Sequence, residues 1–385
     1  MGEPLEEYLA VGHGRRTKEF LGDLVARSPV PMTITNKSRD HPEARRGREE
    51  ERERWPSHRA DAAAPGPIAG VITLLAKKMG WIISAPMLGW TLSPLFQNMT
   101  LLYVRHTTIY RYHRPVRLGD HRLMLRPRDS HDLRLIRTSL NLSPPASLRW
   151  VHDVFGNSIA IASFAVPTTE LIIDSSLTLE TYAVERPTFQ IAARAASYPF
   201  IYSADDRMDL GRMLERHHPD PNGRLESWAT GFVRSNPTDT LALLADLNAG
   251  VAAQISYQSR DTEGTQPPIE TLNRGWGSCR DLAVLLIEAA RTLGFGARVV
   301  TGYLYNPAMD DQRADGATTH AWADIYVPGA GWIAYDPTNG TIGGGNLIRV
   351  AVTRDISQAV PVAGSFVGAR NDYLGMTVDV SVTSQ

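Results

Sequence analysis

Three side chains in the second half of the chain have the types and spacing of a nucleophile, a base and an orienting carboxylate. The single cysteine is Cys279, and His320 and then Asp336 follow it along the chain. A thiol attacks a carbonyl carbon effectively when a nearby base takes its proton and a third group fixes the tautomer of that base. A lone cysteine is more often an inert buried side chain, so the prediction of thioester chemistry depends on all three residues together.

Cys279 stands at the start of a predicted helix, which Ser278 caps and which ends at Gly294. The positive end of the helix dipole and the unpaired backbone N–H groups favour a thiolate at such a position. The N–H of Cys279 is therefore the expected first donor of an oxyanion hole. Trp276 and Tyr257 are candidates for the second donor, and core packing or a wall of the site is an equally good interpretation of each.

His320 and Asp336 lie on two predicted strands, joined by a Pro-Gly-Ala-Gly turn at residues 328–331. Because side chains alternate along a strand, a regular loop of even length would point Asp336 away from His320. We therefore predict an odd-length loop or a bulge at this turn. Trp322 and Asp324 share a strand face with His320. Trp322 is expected to line the acyl-binding cleft, and Asp324 is expected to be a supporting or structural group.

The segment from Gly275 to Gly340 resembles the core of the transglutaminase-like superfamily, whose members place a cysteine on a helix and a histidine and an aspartate on following strands. Further segments are similar to the bacterial subgroup that has its own N-terminal region: residues 110–112 with 115–116, 125–128, 153–157 and 350–355. The resemblance covers roughly residues 100–385 of this chain.

This resemblance implies a role for each of the three residues. Cys279 would be the nucleophile, His320 the general base and acid, and Asp336 the orienting carboxylate. The superfamily shares the papain-like catalytic arrangement, which implies an α+β fold with the nucleophile helix packed on an antiparallel sheet. The calcium dependence of the animal transglutaminases is not carried over.

The remaining patterns predict how the chain is organised. Strand-like alternation and tight turns over residues 101–185 indicate a β-sandwich-like N-terminal domain. Helical patterning follows at residues 205–216, at residues 225–234 and in a helix that Thr238 caps. Four segments result: residues 1–98, a disordered or start-site extension; 99–187, the β-rich domain; 188–345, the catalytic core; and 346–385, C-terminal strands that complete the fold.

Composition limits the classes of partner. A formal net charge of −1 argues against nucleic acid as a partner. A single cysteine excludes an intrachain disulfide, so nothing points to secretion and we expect a cytoplasmic protein. Three acidic residues in the loop at 306–317 are interpreted as solvated carboxylates rather than a cation site: Asp310, Asp311 and Asp315. No metal and no cofactor is expected.

The fate of the thioester separates the possible functions. Resolution by water makes the protein a cysteine peptidase or amidase that acts on peptide or isopeptide amides, and we favour this slightly over protein cross-linking by an amine. The order of Cys, His and Asp also suits arylamine acetyltransferases and peptide glycan-releasing amidases. The His-Ala-Trp context at residues 320–322 and the Asp-Pro-Thr-Asn-Gly context at 336–340 look more like the transglutaminase group. A catalytically silent scaffold is a minor alternative, because the superfamily includes inactive members.

Residues 1–98 differ in composition from the rest of the chain. Residues 39–59 are dense in Arg and Glu, and a stretch of that kind buries too little apolar surface to offset its chain entropy. Two lysines and a proline interrupt the apolar segment at 68–90 before it reaches the ~20 residues of a membrane span. We expect the native chain to begin at Met99. N-terminal sequencing of the natively expressed protein checks this, and a mature chain that begins well before Met99 would contradict it.

Overall fold

The computed structural model describes residues 33–36, 81–84, 99–182, 187–260, 264–306 and 319–384. Contacts within the chain define two compact units, residues 1–97 and residues 98–385. The described residues of the first unit are two antiparallel strands, Thr33–Asn36 (β1) and Trp81–Ser84 (β2). The expectations for the rest of residues 1–98 and for the loop carboxylates Asp310, Asp311 and Asp315 lie outside the described residues.

A β-rich region opens the second unit. Its six strands are Thr100–Leu118 (β3), His121–Arg126 (β4), Leu133–Ser143 (β5), Ala146–His152 (β6), Ser158–Phe164 (β7) and Thr168–Thr181 (β8). Strands β4, β7 and β6 pair in one antiparallel sheet, and β3, β8 and β5 pair in another. Leu171 and Ile173 of β8 pack with Leu123 of β4, so the two sheets share a hydrophobic core. The predicted β-rich N-terminal region is confirmed.

Five α-helices occur among the described residues: Ala204–Leu210 (α1), Arg224–Thr230 (α2), Thr240–Gln254 (α3), Pro268–Arg274 (α4) and Cys279–Thr292 (α5). Helix α1 is shorter than predicted, because the chain tightens into a 3-10 turn at Gly211–Leu214. Thr238 does not cap α3. Asp239 Oδ1 accepts a hydrogen bond from the N–H of Ala242 at 2.8 Å, whereas Thr238 Oγ1 is bonded to Ser235.

The rest of the second unit is built around one antiparallel sheet, called the central sheet below. Short strands precede it: Ser197–Tyr198 (β9), Thr238–Asp239 (β10), Ser256–Tyr257 (β11) and Trp276–Gly277 (β12). The sheet itself contains Ala297–Leu304 (β13), Thr319–Val327 (β14), Gly331–Asp336 (β15), Thr341–Ile342 (β16) and Leu347–Thr353 (β17). Its spatial order is β16-β15-β14-β13-β17.

Helix α5 packs on this sheet. Leu285, Leu286 and Ala289 of the helix share one core cluster with Ala323 and Ile325 of β14. The predicted α+β fold, with the nucleophile helix packed on an antiparallel sheet, is confirmed.

The last strands return to the N-terminal region. Val362–Ala363 (β18) pairs with β4, and both Phe366–Val367 (β19) and Tyr373–Ser384 (β20) pair with β3. Strand β17 instead lies in the central sheet, beside β13. The chain thus leaves the central sheet and closes on the first β-rich region. The division into four segments stays a prediction.

Gly302 is the point where the sheet has no room for a side chain. It pairs with His320, and a Cβ there would lie 1.9 Å from the carbonyl oxygen of Ile348. We expect Gly302→Ala to lower the free energy of unfolding by about 2–3 kcal/mol, because the adjacent strand would have to move. Urea denaturation measures this loss.

Gly223→Ala is the matched control. Gly223 has a positive φ but open space around its Cβ position, so its substitution should cost only about 1–2 kcal/mol of conformational strain. A Gly302→Ala loss no larger than the control loss would show that the strands accommodate the methyl group.

Candidate active site

The buried pair of His320 and Asp336 is the centre of the site. His320 Nε2 lies 2.8 Å from Asp336 Oδ2, and the side chains are only 5% and 1% exposed. The other bonds to Asp336 come from the turn after β15: the N–H of Thr338 donates to Oδ1 at 3.0 Å, and Asn339 Nδ2 donates to Oδ2 at 2.7 Å. The carboxylate is therefore held by its own turn while it holds the imidazole.

The geometry of the hairpin explains why these two side chains meet. Val327 pairs with Gly331, which leaves a loop of three residues, 328–330. Gly329 and Gly331 both have positive φ, which glycine adopts without a Cβ penalty. The predicted odd-length loop is confirmed. This register puts Asp336 on the strand face that also carries His320.

Cys279 completes the group at the start of α5. Its side chain is buried and contacts Ala283 of the helix and Ala321 of β14. Cys279 is close enough to His320 for its side chain to contribute to the raised pKa of the imidazole. Because Nε2 of the ring is occupied by Asp336, Nδ1 is the nitrogen available to the sulfur. The structure thus brings together the three residues that the sequence singled out.

The electrostatics of the site favour a protonated histidine. Burial opposes the charged ring of His320, but the hydrogen bonds to Asp336 and Cys279 and the charges of those groups raise its pKa to about 9. Burial also opposes ionisation of Asp336, yet His320, Asn339 and the N–H of Thr338 keep its pKa below the usual value.

A second buried carboxylate, Asp281, fixes the start of α5. Its oxygens accept hydrogen bonds from the backbone N–H and the hydroxyl of Ser278, both at 2.8 Å. The N–H of Gln266 donates at 2.7 Å and Arg260 Nη2 at 2.8 Å. Asp281 thus ties Arg260 and Gln266 to the turn that carries Cys279.

The two candidate donors beside the nucleophile lie on the short strands β11 and β12. These strands run parallel and pair Tyr257 with Gly277, two residues before Cys279. Tyr257 is 49% exposed, and burial, followed by the charge of Cys279, raises the pKa of its hydroxyl. The ring of Trp276 lies under the guanidinium of Arg274, 5.3 Å from ring centroid to Cζ. The hydroxyl of Tyr257 therefore lies near enough to Cys279 for the charge of the sulfur to affect its pKa.

Trp322 and Asp324 take different positions behind the triad. Trp322 is fully buried, its ring stacks beside that of His320 with centroids 6.1 Å apart, and it packs with Val300 and Ala334. Its part in an acyl-binding cleft stays a prediction. Asp324 forms an ion pair with Arg298 at 2.9 Å. This contact fits the structural role that was one of the two roles expected for Asp324.

Sequence reasoning gave no role to Asn339. The residue lies in the Asp-Pro-Thr-Asn turn, and its amide donates to the same oxygen of Asp336 that faces His320. An aspartate followed closely by Pro and Asn is a turn signal in which side chains bond within the turn. That signal was sufficient to suggest a partner for Asp336.

Two further observations concern metals and membranes. Among the residues that the structure describes, no cluster of three or more His, Cys, Asp or Glu side chains is arranged to hold a metal ion. No helix within the described ranges has the length and apolar character that crossing a bilayer requires.

Comparison with known proteins identifies two regions of the chain. Residues 102–180 match the bacterial transglutaminase-like N-terminal region, and residues 226–337 match the transglutaminase-like superfamily. The resemblance stated from the sequence is therefore confirmed for both regions. Cys279, His320 and Asp336 all lie within the second match.

Individual relatives are more distant. An uncharacterized protein of Mycobacterium leprae is 25% identical over 286 residues, which are 74% of this chain and 99% of that protein. The crystal structure of a candidate cysteine protease from Cytophaga hutchinsonii is 17% identical, has a TM-score of 0.56 and covers 75% of this chain and 99% of that one. The periplasmic domain of TgpA from Pseudomonas aeruginosa is 15% identical over 64% of this chain and 90% of that one, with a TM-score of 0.31. The Cytophaga structure supports the fold.

Replacing His320 by Ala tests its link to the nucleophile. We expect alkylation of Cys279 by iodoacetamide at about pH 6 to slow by tenfold to a hundredfold, since an unassisted cysteine is well under about 1% thiolate there. Intact-protein mass spectrometry measures the rate from one label per chain. His113→Ala, at an exposed strand position, should react like the native protein. An unchanged rate in His320→Ala would remove His320 as the base.

Replacing Asp336 by Asn tests the carboxylate. The raised pKa of His320 means that its proton is fully present below the ordinary value and is lost as the pH rises through about 9. Asn keeps the shape of the side chain without its charge, so this loss should move down by about one pH unit or more. The rate of Cys279 alkylation is measured against pH, and the change in rate at high pH reports the loss of the His320 proton. A step that stays in place would exclude Asp336 as the stabilising charge.

Proposed function

Because residues 226–337 are a transglutaminase-like core that follows a bacterial transglutaminase-like N-terminal region, we propose that the chain is a cysteine enzyme that acts on amides. Its substrates are peptide, glutamine or isopeptide amides, and Cys279 forms a thioester with their acyl group. Water then resolves the thioester, which makes the protein a cysteine peptidase or amidase. We further propose that it works in the cytoplasm.

One observation carries this proposal: the buried imidazole of His320 is bonded to Asp336 at 2.8 Å and lies near enough to Cys279 for the two side chains to interact. A base in this position can take the proton of the thiol and later give it to a leaving amine. Sulfur attacks the amide carbonyl carbon, the C–N bond breaks, and His320 gives its proton to the leaving amine. Water then attacks the thioester carbon while His320 takes its proton, and the C–S bond breaks, which releases the acid and restores the thiolate and the protonated imidazole.

The negative charge that develops on the carbonyl oxygen needs donors. The N–H of Cys279 lies in the first turn of α5, where backbone N–H groups have no acceptor within the helix. Tyr257 is the better candidate for the second donor, because its hydroxyl is half-exposed and close enough to Cys279 for their charges to interact. The indole of Trp276 remains the alternative donor. Asp281 supports both groups indirectly by fixing the helix start.

The test is product analysis on a peptide library that carries glutamine and isopeptide amides, incubated with and without a primary amine. We expect loss of ammonia or cleavage of the peptide or isopeptide bond without incorporation of the amine. A mass gain from the amine would instead identify a cross-linking acyltransferase. Intact products are measured by mass spectrometry, with Cys279→Ala as the inactive control. A library left unchanged under all conditions would favour a catalytically silent scaffold.

Tyr257→Phe separates the two donor candidates. Loss of one oxyanion donor typically lowers kcat by about a hundredfold or more, and we expect that loss without a matching change in the rate of Cys279 alkylation. Trp276→Phe is the paired variant at the neighbouring strand. If only Trp276→Phe lowered kcat, the indole would be the donor and Tyr257 a wall of the site.

A further inference from the structure

A cavity of about 240 Å³ lies on the central sheet, the one that contains β13 to β17, on the face that carries Trp322. The sheet contributes Arg298, Trp322 and Val352 to one wall, and the N-terminal β-rich region contributes Arg128 and Phe155 to the other. The volume is smaller than that of pockets for drug-sized ligands and suits a group of about amino-acid size. None of the three triad residues lines it.

The walls of this cavity are held in place before any ligand arrives. The side chain of Asn157 bridges the regions: its amide donates to the carbonyl oxygen of Val352 at 2.7 Å, and its oxygen accepts from the N–H of Val352 at 2.9 Å. Phe155 packs against the cluster that contains Trp322. A preformed pocket loses little conformational entropy when it binds a ligand.

Two buried donors at the cavity have no acceptor within the described part of the chain. They are the indole N–H of Trp322, whose side chain is 1% exposed, and the Nε–H of Arg349. Both residues line the cavity. A buried donor without a partner costs roughly 1–3 kcal/mol, so a ligand that supplies acceptors would recover that free energy.

The inner wall is also cationic. Arg298 and Arg349 share one carboxylate, Asp324, with their Nη2 atoms 2.9 Å and 3.9 Å from its Oδ2. Burial lowers the pKa of Arg298, Asp324 opposes that shift, and the charges of Arg349 and Arg128 add to it. Two guanidinium groups, those of Arg298 and Arg349, therefore lie beside a single buried carboxylate.

Two carboxylates, of Asp129 and Asp132, also line the cavity. They belong to the loop between β4 and β5 and already have partners there: Asp129 accepts from the N–H of Leu135 at 2.6 Å, and Asp132 accepts from the hydroxyl of Ser130 at 2.5 Å. Asp129 is exposed like Arg128, and Asp132 is half-buried like Arg298 and Arg349, so these two carboxylates offset part of the positive charge at the cavity.

We propose that this cavity is a binding site for the carboxylate group of an amino-acid-sized ligand, with Arg349 and Trp322 as donors. Planar guanidinium groups match the two oxygens of a carboxylate, and charge-assisted hydrogen bonds of this kind are the strong ones. Because the ring of Trp322 stacks beside His320, the ligand sits one aromatic ring away from the catalytic base. The carboxylate belongs either to a free small molecule or to an end of the substrate.

The probe is N-acetylglycine, with N-acetylglycinamide as its uncharged counterpart of nearly the same shape. The full chain with Cys279→Ala is labelled with nitrogen-15 in its tryptophans, and Trp322→Phe assigns the indole signal of Trp322. We expect a saturable shift of that signal with the acid at millimolar concentrations and none with the amide. Titration calorimetry on unlabelled protein gives the dissociation constant independently of the assignment.

Arg349→Met keeps the length of the side chain and removes its charge, so it should raise the dissociation constant of N-acetylglycine by about tenfold or more. Arg117→Met is the control, since Arg117 is exposed and does not line the cavity. Equal binding of acid and amide, unchanged affinity in Arg349→Met, or no saturable binding would each overturn the proposal. Binding is measured without turnover, so these results do not depend on the proposed amidase activity.

A competition experiment identifies the source of the carboxylate. If N-acetylglycine competes with the peptide substrate for the native enzyme, the site takes the carboxylate of the substrate. If both bind together, the site takes a separate small molecule. In the first case the apparent KM for the peptide rises with the concentration of N-acetylglycine, and in the second case it does not. Either result supports the proposal.

Discussion

The site depends on burying one carboxylate beside one imidazole. Removing ionised groups from water costs several kcal/mol for each ion unless hydrogen bonds satisfy it. Asp336 meets this condition because its own turn supplies three donors, the N–H of Thr338 and both the N–H and the side-chain amide of Asn339, in addition to His320. The same bonds keep the aspartate ionised and so keep the histidine protonated opposite the sulfur. The hydrogen bonds that order the turn after β15 are thus the same bonds that keep Asp336 ionised.

A comparable arrangement holds the nucleophile from the helix side. Asp281 is fully buried one turn into α5 and is surrounded by donors from Ser278, Gln266 and Arg260. Cys279 and His320 are therefore each positioned by a buried carboxylate, Asp281 of the same helix for Cys279 and Asp336 of the neighbouring strand for His320. The start of α5 and the register of the hairpin place the two side chains near each other. The hydrogen bonds to the two carboxylates then restrict the movement of the helix start and of the imidazole.

The helix start at Cys279 and the hairpin that carries His320 and Asp336 could be predicted because each has a local signal, whereas the α+β class followed from the resemblance to the transglutaminase-like superfamily. A cysteine before a run of helical periodicity, a Pro-Gly-Ala-Gly turn and alternating strands are all readable within about twenty residues. The contacts of Gly302, Arg298 and Asn157 could not be predicted in this way. Each depends on a partner far along the chain, such as Ile348 or Val352, and one sequence contains no record of that proximity. Thr238 failed as a cap because a nearby serine competed for its hydroxyl.

The three-residue loop between β14 and β15 also restricts how the gene for such a chain can change. Side chains along a strand alternate between the two faces of the sheet. Whether the loop has an odd or an even number of residues therefore matters more than how long it is. Losing or gaining a single codon between His320 and Asp336 would turn the carboxylate to the opposite face of the sheet, while a change of two codons would keep it facing the histidine. Insertions that preserve activity in this hairpin should therefore come in pairs.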